Sequence, residues 1–103
     1  MPKGKSPKST DSSWKSGSAY DFLNLSAEEI ELVEIRLAFS RKMKELRLKS
    51  GRTQGQIAKL IHSSQSRVAK IEAGDPSISL DRQIKSLIML GLTRKQVGKL
   101  MAQ

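Results

Sequence analysis

Residues 53–74 read TQGQIAKLIHSSQSRVAKIEAG, and no other stretch constrains the fold as tightly. Ile57, Ala58, Leu60 and Ile61 form one apolar helical pattern; Val68 and Ile71 form a second. Between them stand only His62, Ser63 and Ser64. Thr53-Gln-Gly-Gln56 is a capping box, in which the hydroxyl takes an orphan backbone N–H and the glutamine reaches back. Ser64 is placed to cap the second helix, and Gly74 to stop it. Helices joined by so short a break have no room for an antiparallel return, so they must cross steeply. Ala58 then sits where they approach closest, where little more than a methyl group fits. Ile57, Ile61, Val68 and Ile71 point inward, which leaves Gln54, Gln65, Ser66, Arg67 and Lys70 outward, none of them acidic.

Helical signals continue on both sides. Ser26-Ala-Glu-Glu29 is a capping box, its glutamates suit the positive end of the helix dipole, and Gly51 is the matching stop. The helix between them runs to about Lys49 and is long for a small domain. Leu32, Ile35, Phe39, Met43 and Leu46 step by three or four and form a core stripe. Ile30, Val33 and Leu37 form a second stripe, which Phe22, Leu23 and Leu25 cover or which is left as a partner surface. A fourth helix starts near Ser79, with Leu80, Ile84, Leu87 and Ile88 at core spacing, and ends at Gly91. A fifth opens on the capping box Thr93-Arg-Lys-Gln96 and carries Val97, Leu100 and Met101. No segment alternates like a strand. The expectation is an all-α, five-helix domain over residues 21–103 behind a disordered basic tail, residues 1–20, of Lys, Ser, Gly and Pro.

The chain of 103 residues carries a net charge of +9, unevenly placed. Residues 21–35 hold Asp21, Glu28, Glu29, Glu31 and Glu34 with no Lys or Arg; residues 36–103 hold fifteen Lys and Arg against Glu45, Glu72, Asp75 and Asp81. A basic body suits a polyanion, and the acidic segment suits a different partner. Cysteine is absent, so disulfides and thiolate metal sites are excluded. One histidine, His62, makes no metal cluster. His62 lies near Ser63, Ser64 and Ser66, but no carboxylate is placed to orient its ring, and turn serines are better explained as caps. No cofactor loop, metal site or enzyme activity is therefore expected. Nor is a membrane span or signal peptide, which makes the cytoplasm the expected location.

The outward surface of the 53–74 unit is the kind a helix-turn-helix presents to a major groove. The pattern T-Q-x-x-I-A-x-x-I followed by S-Q-S-x-V-A-x-I-E-x-G resembles the lambda-repressor/Cro-like (XRE-type) helix-turn-helix family. The resemblance covers Thr53–Gly74 without a gap and extends more loosely from about Leu37 to Met101. It implies double-stranded DNA as partner and helix 64–73 as the reader. Gln54 would bind a phosphate at a helix N-terminus. Ser64 caps the reading helix, and Gln65 and Ser66 at its start would reach base edges or flanking phosphates. Arg67 and Lys70 would follow along the groove, with Arg52 and Lys59 as backbone contacts at the edge. The family often pairs the glutamate of I-E-x-G with an arginine late in the first helix, here Glu72 and Arg47, as a structural clamp. Two positions depart from the pattern: His62 stands where glycine is usual, and Ser63 where an apolar residue is usual.

Family members usually act as dimers on near-palindromic sites, so a homodimer is implied. Its contact would come from Ile30, Val33 and Leu37, or from Val97, Leu100 and Met101. With no effector domain, the reading is a repressor. The stretch before the DNA-binding unit also resembles the extensions of HigA-like antitoxins, which would add a basic RelE-like toxin as partner. A different class is a coactivator-like bridging module that uses the same fold and binds duplex DNA only weakly.

Overall fold

A computed structural model describes residues 23–102; the expected basic tail, residues 1–20, and Phe22 lie outside the described residues. Five helices are found among these residues, and no strand. They are α1 (Ala27–Ser50), α2 (Gln54–Leu60), α3 (Gln65–Ala73), α4 (Leu80–Met89) and α5 (Arg94–Met101). The chain divides into two compact units, Met1–Leu32 and Val33–Gln103.

Each helix starts where a side chain satisfies its orphan N–H groups. Ser26 Oγ accepts from Glu29 N at 3.2 Å, and Glu29 Oε1 accepts from Ser26 N at 2.8 Å. Thr53 with Gln56 and Thr93 with Gln96 form the same reciprocal box, while Ser64 and Ser79 cap with the hydroxyl alone. Four helices end alike. A residue of positive φ follows the helix, and the next N–H bonds back five residues: Arg52 to Arg47, Ser63 to Ala58, Asp75 to Lys70 and Leu92 to Leu87. This is the Schellman stop. Glycine fills the positive-φ position after α1, α3 and α4; after α2 it is His62, at φ 54°.

The core of the second unit is built on α1 from Ile35 onward. Phe39 and Met43 are fully buried, and Ile35 and Leu46 are packed against the cluster. Ile57, Ala58 and Ile61 of α2 and its C-cap, Val68 and Ile71 of α3, Leu87 of α4, and Val97 and Leu100 of α5 complete it. Two loop residues, Ile78 and Leu92, are also buried there.

Several apolar residues expected inside are outside. Leu32, 46% exposed, belongs to the first unit. Leu60 and Ile88 are exposed too. Each sits one position off the inward line of its short helix, and a rotation of about 100° per residue carries it to the rim. Conversely, polar Gln83 is buried on α4 at the place of a core residue. Its Nε2 donates to Ser40 Oγ at 3.1 Å and to the Arg36 carbonyl at 3.3 Å, so the amide is satisfied on its donor side.

Of the second stripe of α1, Ile30, Val33 and Leu37 are all half-buried. Leu37 is partly used inside the second unit, because a Cβ added to Gly74 would come within 3.3 Å of Leu37 Cδ2. Val97 and Leu100 are buried, which leaves only Met101 of the expected α5 surface accessible.

Candidate nucleic-acid interface

Helix α3 is held along one side and open along the other. Val68 and Ile71 are buried, while Ser64, Gln65, Ser66, Arg67 and Lys70 are exposed. Ser64 Oγ accepts from Arg67 N at 3.2 Å, which sets where the helix begins and aims its first turn outward.

At the other end, Glu72 is tied to α1. Arg47 Nε donates to Glu72 Oε2 at 2.7 Å, and Nη2 donates to Oε1 at 3.0 Å. The side chains are 16% and 5% exposed, so this fork-to-fork pair is largely shielded from water. The hydrogen bonds that Arg47 donates to the Glu72 carboxylate raise the Arg47 pKa above its ordinary value; desolvation opposes this and coulombic attraction adds to it. The pair has a second consequence: it neutralises the one acid on α3, so the exposed face carries donors and cations and no uncompensated acid.

Glu72 also starts a relay toward the surface. Gln54 Nε2 donates to Glu72 Oε1 at 3.2 Å, and Gln65 Nε2 donates to Gln54 Oε1 at 2.7 Å. The carboxylate can only accept, so it orients the Gln54 amide, which in turn orients that of Gln65. Gln65 is left with a free Oε1 and one free N–H at the exposed start of α3.

Beside α3 runs a groove of about 380 Å³. Ser64, Ser66, Arg67 and Lys70 form one wall. Ser77, Ser79 and Arg82, from the α3–α4 loop and the start of α4, form the other. The loop is braced: Asp75 Oδ1 accepts from Ser77 N at 2.8 Å, and Arg36 Nη1 donates to the Ile78 carbonyl. Those bonds from the Ser77 backbone and hydroxyl hold the Asp75 carboxyl below its usual pKa.

The structure thus gathers the expected residues into two sets. Gln54 and Gln65 join Arg47 and Glu72 in the relay; Ser64, Ser66, Arg67 and Lys70 share the groove. Arg52 and Lys59 are exposed and belong to neither set, although the Arg52 carbonyl accepts from Arg47 Nη1 at 3.4 Å. Ile30, Val33 and Leu37 lie on α1 and take no part. Sequence reasoning missed Ser77, Ser79 and Arg82. The only signal was the Ser79 N-cap, since nothing local says that this turn lies against α3. Among the described residues no group of His, Cys, Asp or Glu can hold a metal, and no helix is long and apolar enough to cross a membrane.

Two helices across a short turn, the second lined with donors and cations and braced from behind, have the geometry of a helix-turn-helix. A family model described as helix-turn-helix matches residues 43–85, from the middle of α1 into α4. Over that segment, less than half of the chain, the protein is similar to the lambda-repressor/Cro-like (XRE-type) helix-turn-helix family, a family of DNA-binding transcription regulators. Comparison with curated proteins and with solved structures found no match.

Proposed function

We propose that the protein is a sequence-specific transcriptional repressor that inserts α3 into the major groove of double-stranded DNA. The observation that carries this reading is the relay ending on Gln65. An exposed glutamine ordinarily samples many rotamers; this one is held by Gln54 and Glu72 with an acceptor and a donor left over. That pair of groups matches the N6–H donor and N7 acceptor of adenine. Arg67 and Lys70, with Ser77, Ser79 and Arg82 across the groove, supply contacts to the sugar–phosphate backbone. Arg52 and Lys59 add general attraction at the edge.

The test is a salt series on selected and scrambled duplexes, read by fluorescence anisotropy. Gln65→Ala should lose roughly 1–3 kcal/mol on the selected duplex, at one base pair, and little on the scrambled one. Lys70→Ala should weaken both and reduce the salt slope by about one. Equal weakening of both duplexes by Gln65→Ala would remove the base-reading role. Micromolar or weaker binding to every selected duplex at physiological salt would favour the bridging-module alternative.

One reading module favours a homodimer on a two-fold site, with Ile30, Val33 and the free part of Leu37 as the proposed contact. Light scattering of the full chain, with and without DNA, tests it. The antitoxin reading rests on the acidic start of α1, where Glu28, Glu29 and Glu31 are exposed. A small basic RelE-like toxin would complement that charge, and co-purification with such a partner encoded beside this gene would test it.

A further inference from the structure

A second concavity, of about 320 Å³, lies between the α2–α3 turn and α4. His62 and Ser63 of the turn border it, with Arg82, Lys85 and Met89 of α4 opposite. Three features distinguish it from an ordinary surface dent. Arg82 and Lys85 are exposed on one face of α4, and neither enters an ion pair among the described residues. Ile61 and Met89 add apolar wall, and Met89 is 38% exposed there. Ser63 Oγ is shut off from solvent and has no hydrogen-bond partner, while the neighbouring His62 holds a left-handed backbone that glycine would adopt more easily. An unpaired hydroxyl and a strained residue both disfavour folding, and the two residues that carry them stand side by side at the wall of this pocket.

We propose that this pocket binds a small organic carboxylate with an apolar body, and that the bound ligand competes with DNA for Arg82. The carboxylate is held by Arg82 and Lys85 through charge-assisted hydrogen bonds, and the body lies against Met89 and Ile61. Asp81 stands on the same rim and disfavours a compact dianion such as phosphate more than a monoanion. The size is at the lower end of ordinary small-molecule sites, enough for a single ring or a short chain. Arg82 and Ser79 line both this pocket and the groove beside α3. A ligand that draws the guanidinium toward the turn therefore removes a cation from the DNA groove. The competition rests on the DNA-binding reading above; the ligand site does not.

The test titrates the full chain with benzoate and follows backbone amides by NMR, with benzamide and inorganic phosphate as controls. Benzoate should give saturable shifts at His62, Ser63, Arg82, Lys85 and Met89. Benzamide should bind roughly tenfold more weakly, for lack of the charge-assisted bonds, and phosphate should not saturate these signals. Arg82→Gln should weaken benzoate by a similar factor, and Met89→Ser should weaken it without altering the melting temperature. Saturating benzoate should lower the duplex affinity of the wild-type chain and leave that of Arg82→Gln unchanged. Shifts scattered over every lysine and arginine, or equal binding of benzamide, would overturn the site. Mapped binding with undiminished duplex affinity would overturn the competition. A chain that binds no duplex at all would sink the DNA reading and leave the mapping to decide the pocket.

Discussion

The two ends of α3 are built on opposite principles. The C-terminal end is locked: Glu72 is forked by Arg47, and Gly74 turns the chain in a left-handed backbone where a side chain would press on Leu37. The N-terminal end is presented: a lone serine caps it, a histidine makes the turn before it, and its outward side chains meet solvent. A helix fixed at one end can hold its other end steady without burying it, and only an unburied end can enter another molecule.

That contrast can be broken most strongly at the locked end. Glu72→Ala leaves a shielded Arg47 without its partner and frees Gln54. It should cost about 3 kcal/mol in chemical denaturation, well beyond what an exposed ion pair contributes. A loss below about 1 kcal/mol would mean that the clamp is ornamental. Gly74→Ala should cost about 2 kcal/mol, because a side chain must adopt a left-handed backbone and push against Leu37. At the presented end the effects are smaller. Ser64→Ala removes the cap of α3 and should cost about 1 kcal/mol. His62→Gly should have the opposite sign, a gain of about 0.5 kcal/mol in which relief of strain outweighs the added freedom of the unfolded chain. A loss of stability there would show that the His62 ring makes a contact which the backbone geometry alone does not reveal.

The sequence made the helix boundaries legible because the signals are local. A capping box needs four residues and a Schellman stop needs one positive φ, so Ser26, Thr53, Ser64, Ser79 and Thr93 mark the starts without help from the rest of the chain. The inward faces of α2 and α3 were legible at Ile57, Ala58, Val68 and Ile71 for the same reason. Leu60 and Ile88 were not, because hydrophobicity says that a residue is able to be buried and not that a neighbour covers it. Gln83 was missed for the converse reason: its place in the core depends on Ser40 and the Arg36 carbonyl, more than forty residues away in sequence. Half of the groove was missed likewise, since Ser77, Ser79 and Arg82 are unremarkable in sequence and gain a role only by facing α3.

What the chain determined by itself is therefore its division into five capped helices and the polarity of each, because both come from contacts within a few residues. Which side chains act together was decided by tertiary structure. The orientation of Gln65 depends on Gln54, Glu72 and Arg47, drawn from three helices, and the groove depends on a loop packed beside α3. Such arrangements arise from the mutual exclusion of packed atoms across distant segments, a property that no window of neighbouring residues contains.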